Sequence, residues 1–269
     1  MLTSAKRIVI KIGSSLIIGD DGHVRKEWLD TLAADISELK KIGKEIIVVT
    51  SGAVGLGRFL LNYSSRSLEL GEKQAAAACG QSPLIMQWEN ALHKNGRLLH
   101  AAQILLTADD ISSKIRAKNA SNTLETLLKN SNIVPVINEN DTVATEELRV
   151  GDNDSLAAHV AQMAGADLLI LFSDVDGLYS EDPRNNPSAK FQEKINEITP
   201  AIEAMAGGAR NSISTGGMTT KITAAKIATS AGCNMIIAKG TENHPLKTLM
   251  DGGKSTLFLA TLFVAKENK

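Results

Sequence analysis

Short apolar segments alternate along the chain with longer segments in which apolar residues recur at helical spacing. The apolar segments predict buried β-strands at residues 7–10, 46–49, 98–106, 134–137, 168–172, 235–238 and 255–259, with an edge strand at 194–198. The periodic segments predict helices at residues 25–42, 72–94, 119–129, 156–164, 199–206, 218–231 and 243–250. Residues 72–94 form one helix or two, with Pro83 near a helix start. The alternation predicts an α/β fold whose mainly parallel sheet is covered by helices on both faces.

Composition narrows the class of protein. The 269 residues are 43% hydrophobic and 22% charged, with a formal net charge of −1, which is ordinary for a soluble globular protein with a large core. This charge gives no electrostatic reason to expect a nucleic-acid or membrane partner. No apolar run approaches the roughly 20 residues that span a bilayer, and residues 1–7 lead into a strand without a signal-peptide core. We therefore expect a cytoplasmic protein.

Cysteine and histidine do not indicate a metal centre. Cys79 and Cys233 form neither a CxxC nor a zinc pattern, and both are surrounded by alanine, where a cysteine is usually a small core residue. The histidines have no metal-ligand spacing, so each is expected at the surface or in packing; they are His23, His93, His100, His159 and His244. The sequence therefore predicts no metal ligand from the protein.

Two loops that follow predicted strands have the composition of anion-binding loops. In residues 11–15, Lys11 is followed by glycine and serine, so its mobile ammonium group and the N–H groups of the loop can bind the same anion. The alternative is that Lys11 is an ordinary surface lysine. Three glycines in residues 50–57 suggest a backbone that a ligand approaches closely. Their G-x-x-G-x-G spacing reverses the dinucleotide fingerprint, which disfavours NAD and leaves a helix packed tightly on the sheet as the other interpretation.

Two acidic clusters lie on either side of a predicted hairpin or flap at residues 142–150. The first, Asn-Glu-Asn-Asp at 138–141, ends an apolar strand, and the second, at 152–154, begins an alanine-rich helix. Either cluster alone could be a turn or a helix cap, because Asp and Asn favour both. Polar groups that converge from strand ends are where open α/β sheets bind ligands. Together, the clusters predict a binding site.

The last third of the chain adds two more loops of this kind. Residues 173–179 are acidic and follow a buried strand, but they lack the alternating ligands of an EF-hand. Residues 207–221 are rich in Gly, Ser and Thr and place Lys221 on the first turn of a helix, which suits phosphate. Two lysines, glycine-rich loops and acidic groups, without a catalytic triad, fit phosphoryl transfer. The lack of an obvious base favours an acceptor that is already ionised, such as a carboxylate of pKa ~4.3.

These motifs resemble the amino acid kinase family, and the resemblance covers nearly the whole chain. The pair NEND and GDND, joined to TGGM-x-TK at 215–221, is similar to members that phosphorylate the γ-carboxylate of L-glutamate with ATP and Mg²⁺ in the first step of proline biosynthesis. The resemblance implies one domain, residues 1–269, folded as a three-layer αβα sandwich. It implies that residues 1–165 bind the acceptor and residues 166–269 the nucleotide.

The resemblance also implies roles for particular residues. Lys11 and Lys221 would neutralise the transferring phosphoryl group, and Asp154 would hold both lysines in place. The residues implied to bind glutamate are Ser51, Gly52, Asn138, Asp141 and Asn153. The residues implied to bind the nucleotide are Lys11, Ser173, Asp174, Thr215, Gly216, Gly217, Met218, Thr219, Thr220 and Lys221. Mg²⁺ would bridge the phosphates.

The chain departs from the family's pattern in two places. Ser214 replaces the glycine that usually precedes TGGM, which bears on the mobility of that loop and on ATP affinity. Many bacterial members carry an appended PUA domain, which we expect this chain to lack, because it ends soon after residues 255–260. The family further implies feedback inhibition by proline, bordered by residues 141–151, and a dimer or tetramer. The alternatives are another carboxylate or carbamate kinase of this fold and a catalytically silent ligand-binding module.

Overall fold

Strands and helices alternate along the chain, as the apolar pattern predicts. The computed structural model describes residues 2–63, 67–144, 153–207 and 217–260. The strands in these ranges are β1 (Arg7–Ile12), β2 (Glu45–Thr50), β3 (His100–Leu106), β4 (Ile133–Glu139), β5 (Leu168–Ser173), β6 (Leu178–Tyr179), β7 (Phe191–Gln192), β8 (Lys194–Ile195), β9 (Asn234–Lys239) and β10 (Ser255–Phe258). The helices are α1 (Ser14–Ile17), α2 (Lys26–Lys41), α3 (Ala53–Leu60), α4 (Leu70–His93), α5 (Ala108–Ser112), α6 (Lys114–Leu128), α7 (Asn153–Ala164), α8 (Pro200–Gly207), α9 (Met218–Ser230) and α10 (Pro245–Met250).

The central sheet is mainly parallel. Its strand order is β3-β4-β2-β1-β5-β9-β10-β8, and β6 pairs with β7 in a separate two-stranded sheet. Strand β1 pairs in parallel with β2 on one side and with β5 on the other, whereas β10 is antiparallel to β9. Because parallel strands end at the same edge, the loops after β1, β2, β4 and β5 open together. The sheet thus gathers four of the predicted loops along one edge.

Each face of the sheet has its own hydrophobic core. Along β1, Ile8, Ile10 and Ile12 enter a core with residues of α2, α4 and α10, while Val9 enters a second core with residues of α6, α7 and α9. This alternation follows from the period of two in a strand. The predicted three-layer αβα sandwich is confirmed. In the part of the chain that the structure describes, no helix is both long enough and apolar enough to span a bilayer.

Helices α3 and α4 touch through their backbones at two glycines. A Cβ atom on Gly57 would lie 1.6 Å from the carbonyl oxygen of Ala76, and one on Gly80 would lie 1.9 Å from the carbonyl oxygen of Ala53. Gly57 therefore serves helix packing, which was the second interpretation of residues 50–57. Gly52 differs, because its φ of +113° at the start of α3 is a conformation that side chains disfavour.

We expect Gly57→Ala to lower the free energy of unfolding by about 2–3 kcal/mol, because the added methyl group meets backbone that cannot move without separating α3 from α4. Gly71→Ala is the control: this glycine lies in α4, the helix against which α3 packs, but its Cβ would meet nothing within 4 Å. The control should be neutral or stabilising by up to about 1 kcal/mol, as alanine favours helices. Urea denaturation followed by circular dichroism measures both. Equal effects would contradict the packing role.

Two local predictions are corrected by the structure. Helix α4 is a single helix of 24 residues with Pro83 in its interior, so this proline does not mark a helix start. Packing of α4 against α2 and α3 outweighs the unfavourable helix propensity of the proline. Cys79 is exposed on α4, because alanine-rich composition does not say which face of a helix is buried. Cys233 is a core residue as predicted, and burial raises the pKa of its thiol to about 12.

Candidate active site

A buried carboxylate lies between two buried lysines at the carboxyl edge of the sheet. Lys11 is on β1, Asp154 is the second residue of α7, and Lys221 is on the first turn of α9. The Nζ atom of Lys11 lies 2.5 Å from Oδ1 of Asp154, and the Nζ atom of Lys221 lies 3.1 Å from Oδ2. The three side chains are nearly inaccessible to solvent. Two ammonium groups and one carboxylate leave a net charge of +1 in this cluster.

The environment of Asp154 keeps it ionised. Burial would by itself raise the pKa of this carboxyl group, but the charges of Lys11 and Lys221 and their hydrogen bonds outweigh burial and hold the pKa below its ordinary value. An aspartate that binds no proton near neutral pH, and that accepts from two ammonium groups, does not act as a general base. The net positive charge, largely shielded from water, makes the cluster a site for an anion.

Two helix N-termini converge on this cluster. Helices α7 and α9 pack against each other, and their first turns carry Asp154 and Lys221, respectively. The hydroxyl group of Thr220 donates to Oδ2 of Asp154 at 3.0 Å. Three groups from the strand β1 and the helix α9 therefore meet on one carboxylate of α7. Helix N-termini favour negative charge, which adds to the attraction for an anion.

A set of carboxamides lies beside the lysine cluster. The Nδ2 atom of Asn153 lies 3.0 Å from the carbonyl oxygen of Thr50, 2.5 Å from Oγ of Ser51 and 3.2 Å from Oδ1 of Asn138, so its two N–H groups are shared among three acceptors. The Nδ2 atom of Asn138 in turn donates to Oε1 of Gln81 at 2.8 Å. Because Asn153 precedes Asp154 directly, the carboxamides and the lysine cluster are neighbours. The structure therefore brings together Ser51, which follows β2, Asn138 of β4 and Asn153 of α7.

The remaining predicted site residues belong neither to the cluster of Lys11, Asp154 and Lys221 nor to the set of carboxamides. Ser173, at the end of β5, donates through Oγ to Oδ1 of Asp174 at 2.9 Å. Asp141 is half-buried in the turn after β4. The described part of the glycine-rich loop begins at Gly217, the residue before α9, and continues through Met218, Thr219 and Thr220. Thr215 and Gly216 lie outside the described residues, as do Ser214 and residues 145–152.

The sequence did not indicate two groups of residues that the structure assembles. Gln81 projects from α4 into the carboxamide set, and no motif marked it. Glu89, His93 and His100 have ligand atoms within 4.8 Å of one another, so they could hold a metal ion; the i, i+4 spacing of Glu89 and His93 on α4 was the available signal. The Glu89 carboxylate is engaged by Nδ1 of His100 and by the N–H group of Ala101. This cluster lies at the amino end of β3, at the opposite edge of the sheet from Asp154.

We expect acid to remove the stabilisation that the Asp154 carboxylate provides. Its folded-state pKa is lowered, so the contribution is present above the unfolded-state pKa of about 3.9 and is lost as the pH falls through the folded value. Urea denaturation between about pH 3 and pH 7 should show the wild-type advantage over Asp154→Asn shrinking below about pH 4. An advantage that is independent of pH would contradict this linkage.

Comparison with known proteins defines the class. A sequence profile described as the Amino acid kinase family matches residues 6–239. Among solved structures, the chain is similar to carbamate kinase from Giardia lamblia bound to AMP-PNP (TM-score 0.68, 15% identity, covering 97% of this chain and 100% of that one). It is also similar to UMP kinase from Bacillus anthracis (TM-score 0.62, 15% identity, covering 96% and 97%). At these identities the likeness concerns the fold. The chain belongs to the amino acid kinase family.

Within this family, the relatives with the stronger similarity share one name, glutamate 5-kinase. The relative from Paramagnetospirillum magneticum is 56% identical to this chain over 259 residues. The relatives from Sinorhizobium fredii and Agrobacterium fabrum are each 53% identical to it over 257 residues. Each alignment covers 96% of this chain, and the chain spans 69%, 65% and 65% of the length of those relatives. The resemblance predicted from the motifs at residues 138–141, 151–154 and 215–221 is confirmed.

Proposed function

We propose that the chain transfers the γ-phosphoryl group of ATP to the γ-carboxylate of L-glutamate, the first step of proline biosynthesis, in the cytoplasm. The observation that carries the proposal is the buried cluster of Lys11, Asp154 and Lys221. It provides net positive charge for a transferring phosphoryl group, next to carboxamides suited to an amino acid. The relatives named glutamate 5-kinase support the choice of acceptor.

The reaction needs no proton transfer to begin. A carboxylate oxygen of glutamate, already ionised at neutral pH, forms a bond to the γ-phosphorus as the bond from that phosphorus to the β-γ bridging oxygen breaks. The products are γ-glutamyl phosphate and ADP. Catalysis then consists of positioning and charge neutralisation, which the two ammonium groups supply. Asp154 orients these groups, and its lowered pKa keeps it in the ionised form that this role needs.

The acceptor would bind at the ends of β2 and β4. Ser51, Asn138 and Asn153 form the hydrogen-bonded part of this site. Asp141 would add a carboxylate for the ammonium group of glutamate. Gly52 follows Ser51 directly, and its positive φ, which side chains disfavour, would place the backbone at the start of α3 close to the ligand. In this assignment, the acceptor half of the protein is residues 1–165.

The nucleotide would bind between the end of β5 and the start of α9, in residues 166–269. Ser173, Asp174 and residues 215–221 would hold ATP, with Lys221 at its phosphates. Mg²⁺ fits this arrangement through the phosphates rather than through Asp154, whose two oxygens already face ammonium groups. When bound, Mg²⁺ would neutralise phosphate charge. The lysine cluster performs the same task from the protein side.

Release of ADP with a panel of acceptors tests the proposal. L-Glutamate should support ADP release, and hydroxylamine should trap its acyl phosphate as a hydroxamate. N-Acetylglutamate, aspartate and carbamate are the comparison acceptors, because another kinase of this fold would prefer one of them. Lack of glutamate-dependent hydroxamate would overturn the proposal. Binding of ATP and glutamate without any ADP release would instead favour a catalytically silent module.

Two finer proposals rest on the family resemblance. L-Proline would inhibit the enzyme as a feedback regulator, and the chain would assemble into a dimer or a tetramer. Of the residues expected to border proline control, 145–151 lie outside the described residues. Proline titration of ADP release checks the first proposal, and the mass measured by light scattering after gel filtration checks the second. Insensitivity to proline, or a monomer, would remove the corresponding proposal.

A further inference from the structure

The carboxamides of the acceptor site form a chain with one direction. Asn153 donates through Nδ2 to the carbonyl oxygen of Thr50, which can only accept, so the orientation of the Asn153 amide is determined. The same Nδ2 atom faces Oδ1 of Asn138 at 3.2 Å. Asn138 therefore presents Nδ2 at its other side and donates to Oε1 of Gln81 at 2.8 Å. Each carboxamide donates to the next, starting from Asn153 and ending at Gln81.

This direction leaves different groups at the two ends of the chain. At the first end, Oδ1 of Asn153 is buried without a hydrogen-bond partner in the described residues. A buried acceptor of this kind is rare in folded proteins and requires a partner. At the second end, Oε1 of Gln81 accepts from Asn138, so the Nε2 group of Gln81 is the donor that remains for a ligand. The site thus offers an acceptor at Asn153 and a donor at Gln81.

An α-amino acid carries the complementary pair of groups. We propose that Oδ1 of Asn153 accepts from the α-ammonium group of the substrate and that Nε2 of Gln81 donates to its α-carboxylate. This inference rests on the proposed function and names a specificity residue, Gln81, that the motifs did not contain. Asn153 adjoins Asp154, whereas Gln81 is separated from Asn153 by two hydrogen bonds, through Asn138. The α-carboxylate is therefore held away from the lysines, and the side-chain carboxylate is the one presented to Lys11.

The substitution Gln81→Glu separates this role from a structural one. A glutamate at this position still accepts from Nδ2 of Asn138, so it preserves the hydrogen bond that is seen in the structure. It replaces the donor Nε2 with a negatively charged acceptor, which repels the α-carboxylate. We expect the Michaelis constant for L-glutamate to rise by about tenfold or more, as for loss of a hydrogen bond to a charged group, while that for ATP changes by less than about twofold.

Gln87→Glu is the matched control, because it makes the same change on α4, six residues farther along. It should leave both Michaelis constants unchanged, and thermal unfolding should show that both variants fold. A Michaelis constant for L-glutamate that stays within about twofold of the wild-type value in Gln81→Glu would overturn the inference. Failure of the proposed function would show separately, as lack of glutamate-dependent hydroxamate with the wild-type chain.

Two truncated analogues of glutamate identify which group of the substrate Gln81 binds. Glutarate lacks the ammonium group but keeps both carboxylates, whereas 4-aminobutyrate lacks the α-carboxylate. Each is measured as a competitor of L-glutamate. Gln81→Glu should raise the inhibition constant of glutarate by about tenfold and leave that of 4-aminobutyrate unchanged, since only glutarate presents a carboxylate to position 81. Equal weakening of both analogues would overturn the assignment and would indicate a general disturbance of the site.

Discussion

Asp154→Ala should reduce the turnover number by about 10²–10³-fold, the range seen when one preorganised electrostatic group is removed from an active site. The Michaelis constant for ATP should change by less than about threefold, because both oxygens of Asp154 face lysines, so in the proposed site this residue would not contact the nucleotide. Without this carboxylate, Lys11 and Lys221 repel each other and lose the positions that neutralise the phosphoryl group. Steady-state ADP release at varied ATP, with saturating L-glutamate, measures both constants.

The same substitution affects folding, which requires a control. Removing one partner of a buried ion pair leaves uncompensated charge and typically lowers the free energy of unfolding by about 3–5 kcal/mol. Asp154→Asn keeps the shape of the side chain, and its amide oxygen can still accept from Thr220. It should lose most of the turnover with a smaller loss of stability. Collapse of ATP affinity in either variant, with turnover preserved at saturation, would reassign Asp154 to the nucleotide site.

Lys221→Ala should lower both the turnover number, by about 10²-fold, and the apparent affinity for ATP, by about tenfold. Lys221 lies on the first turn of α9, directly after the glycine-rich loop, so it would contact the phosphates of ATP before and during transfer. The expected result therefore differs from that of Asp154→Ala, in which ATP affinity is preserved. ADP release as a function of ATP concentration again measures both effects.

Lys226→Ala provides the comparison for Lys221. Lys226 is on the same helix but pairs with Glu203 through a half-exposed side chain. Because exposed ion pairs contribute on average less than about 1 kcal/mol, this variant should keep both wild-type constants and nearly wild-type stability. A normal Michaelis constant for ATP in Lys221→Ala would remove that lysine from the phosphate site. It would leave Lys11 as the cation that contacts the nucleotide.

Local patterns in the sequence predicted the architecture and the approximate position of the site. Apolar strands that alternate with periodic helices determine a parallel sheet covered on both faces, because burial and chain connectivity leave few other arrangements. Polar motifs at the ends of β1, β2, β4 and β5 then fall at one edge of that sheet. The order of the elements was therefore sufficient to bring these motifs together. Helix boundaries and the Pro83 position were less accurate, because tertiary packing overrides local propensity.

The sequence by itself determined an αβα fold with a phosphate-type site at the carboxyl edge of its sheet. The family resemblance implied that Asp154 holds both lysines, and the tertiary structure supplied the contacts, one of them with a lysine 67 residues away in the chain. Only the tertiary structure decided that Gly57 packs on α4, that Asn138 donates to Gln81 and that Oδ1 of Asn153 is buried without a hydrogen-bond partner in the described residues. These features depend on distances and burial between side chains that are remote in sequence, and periodicity carries no information about either.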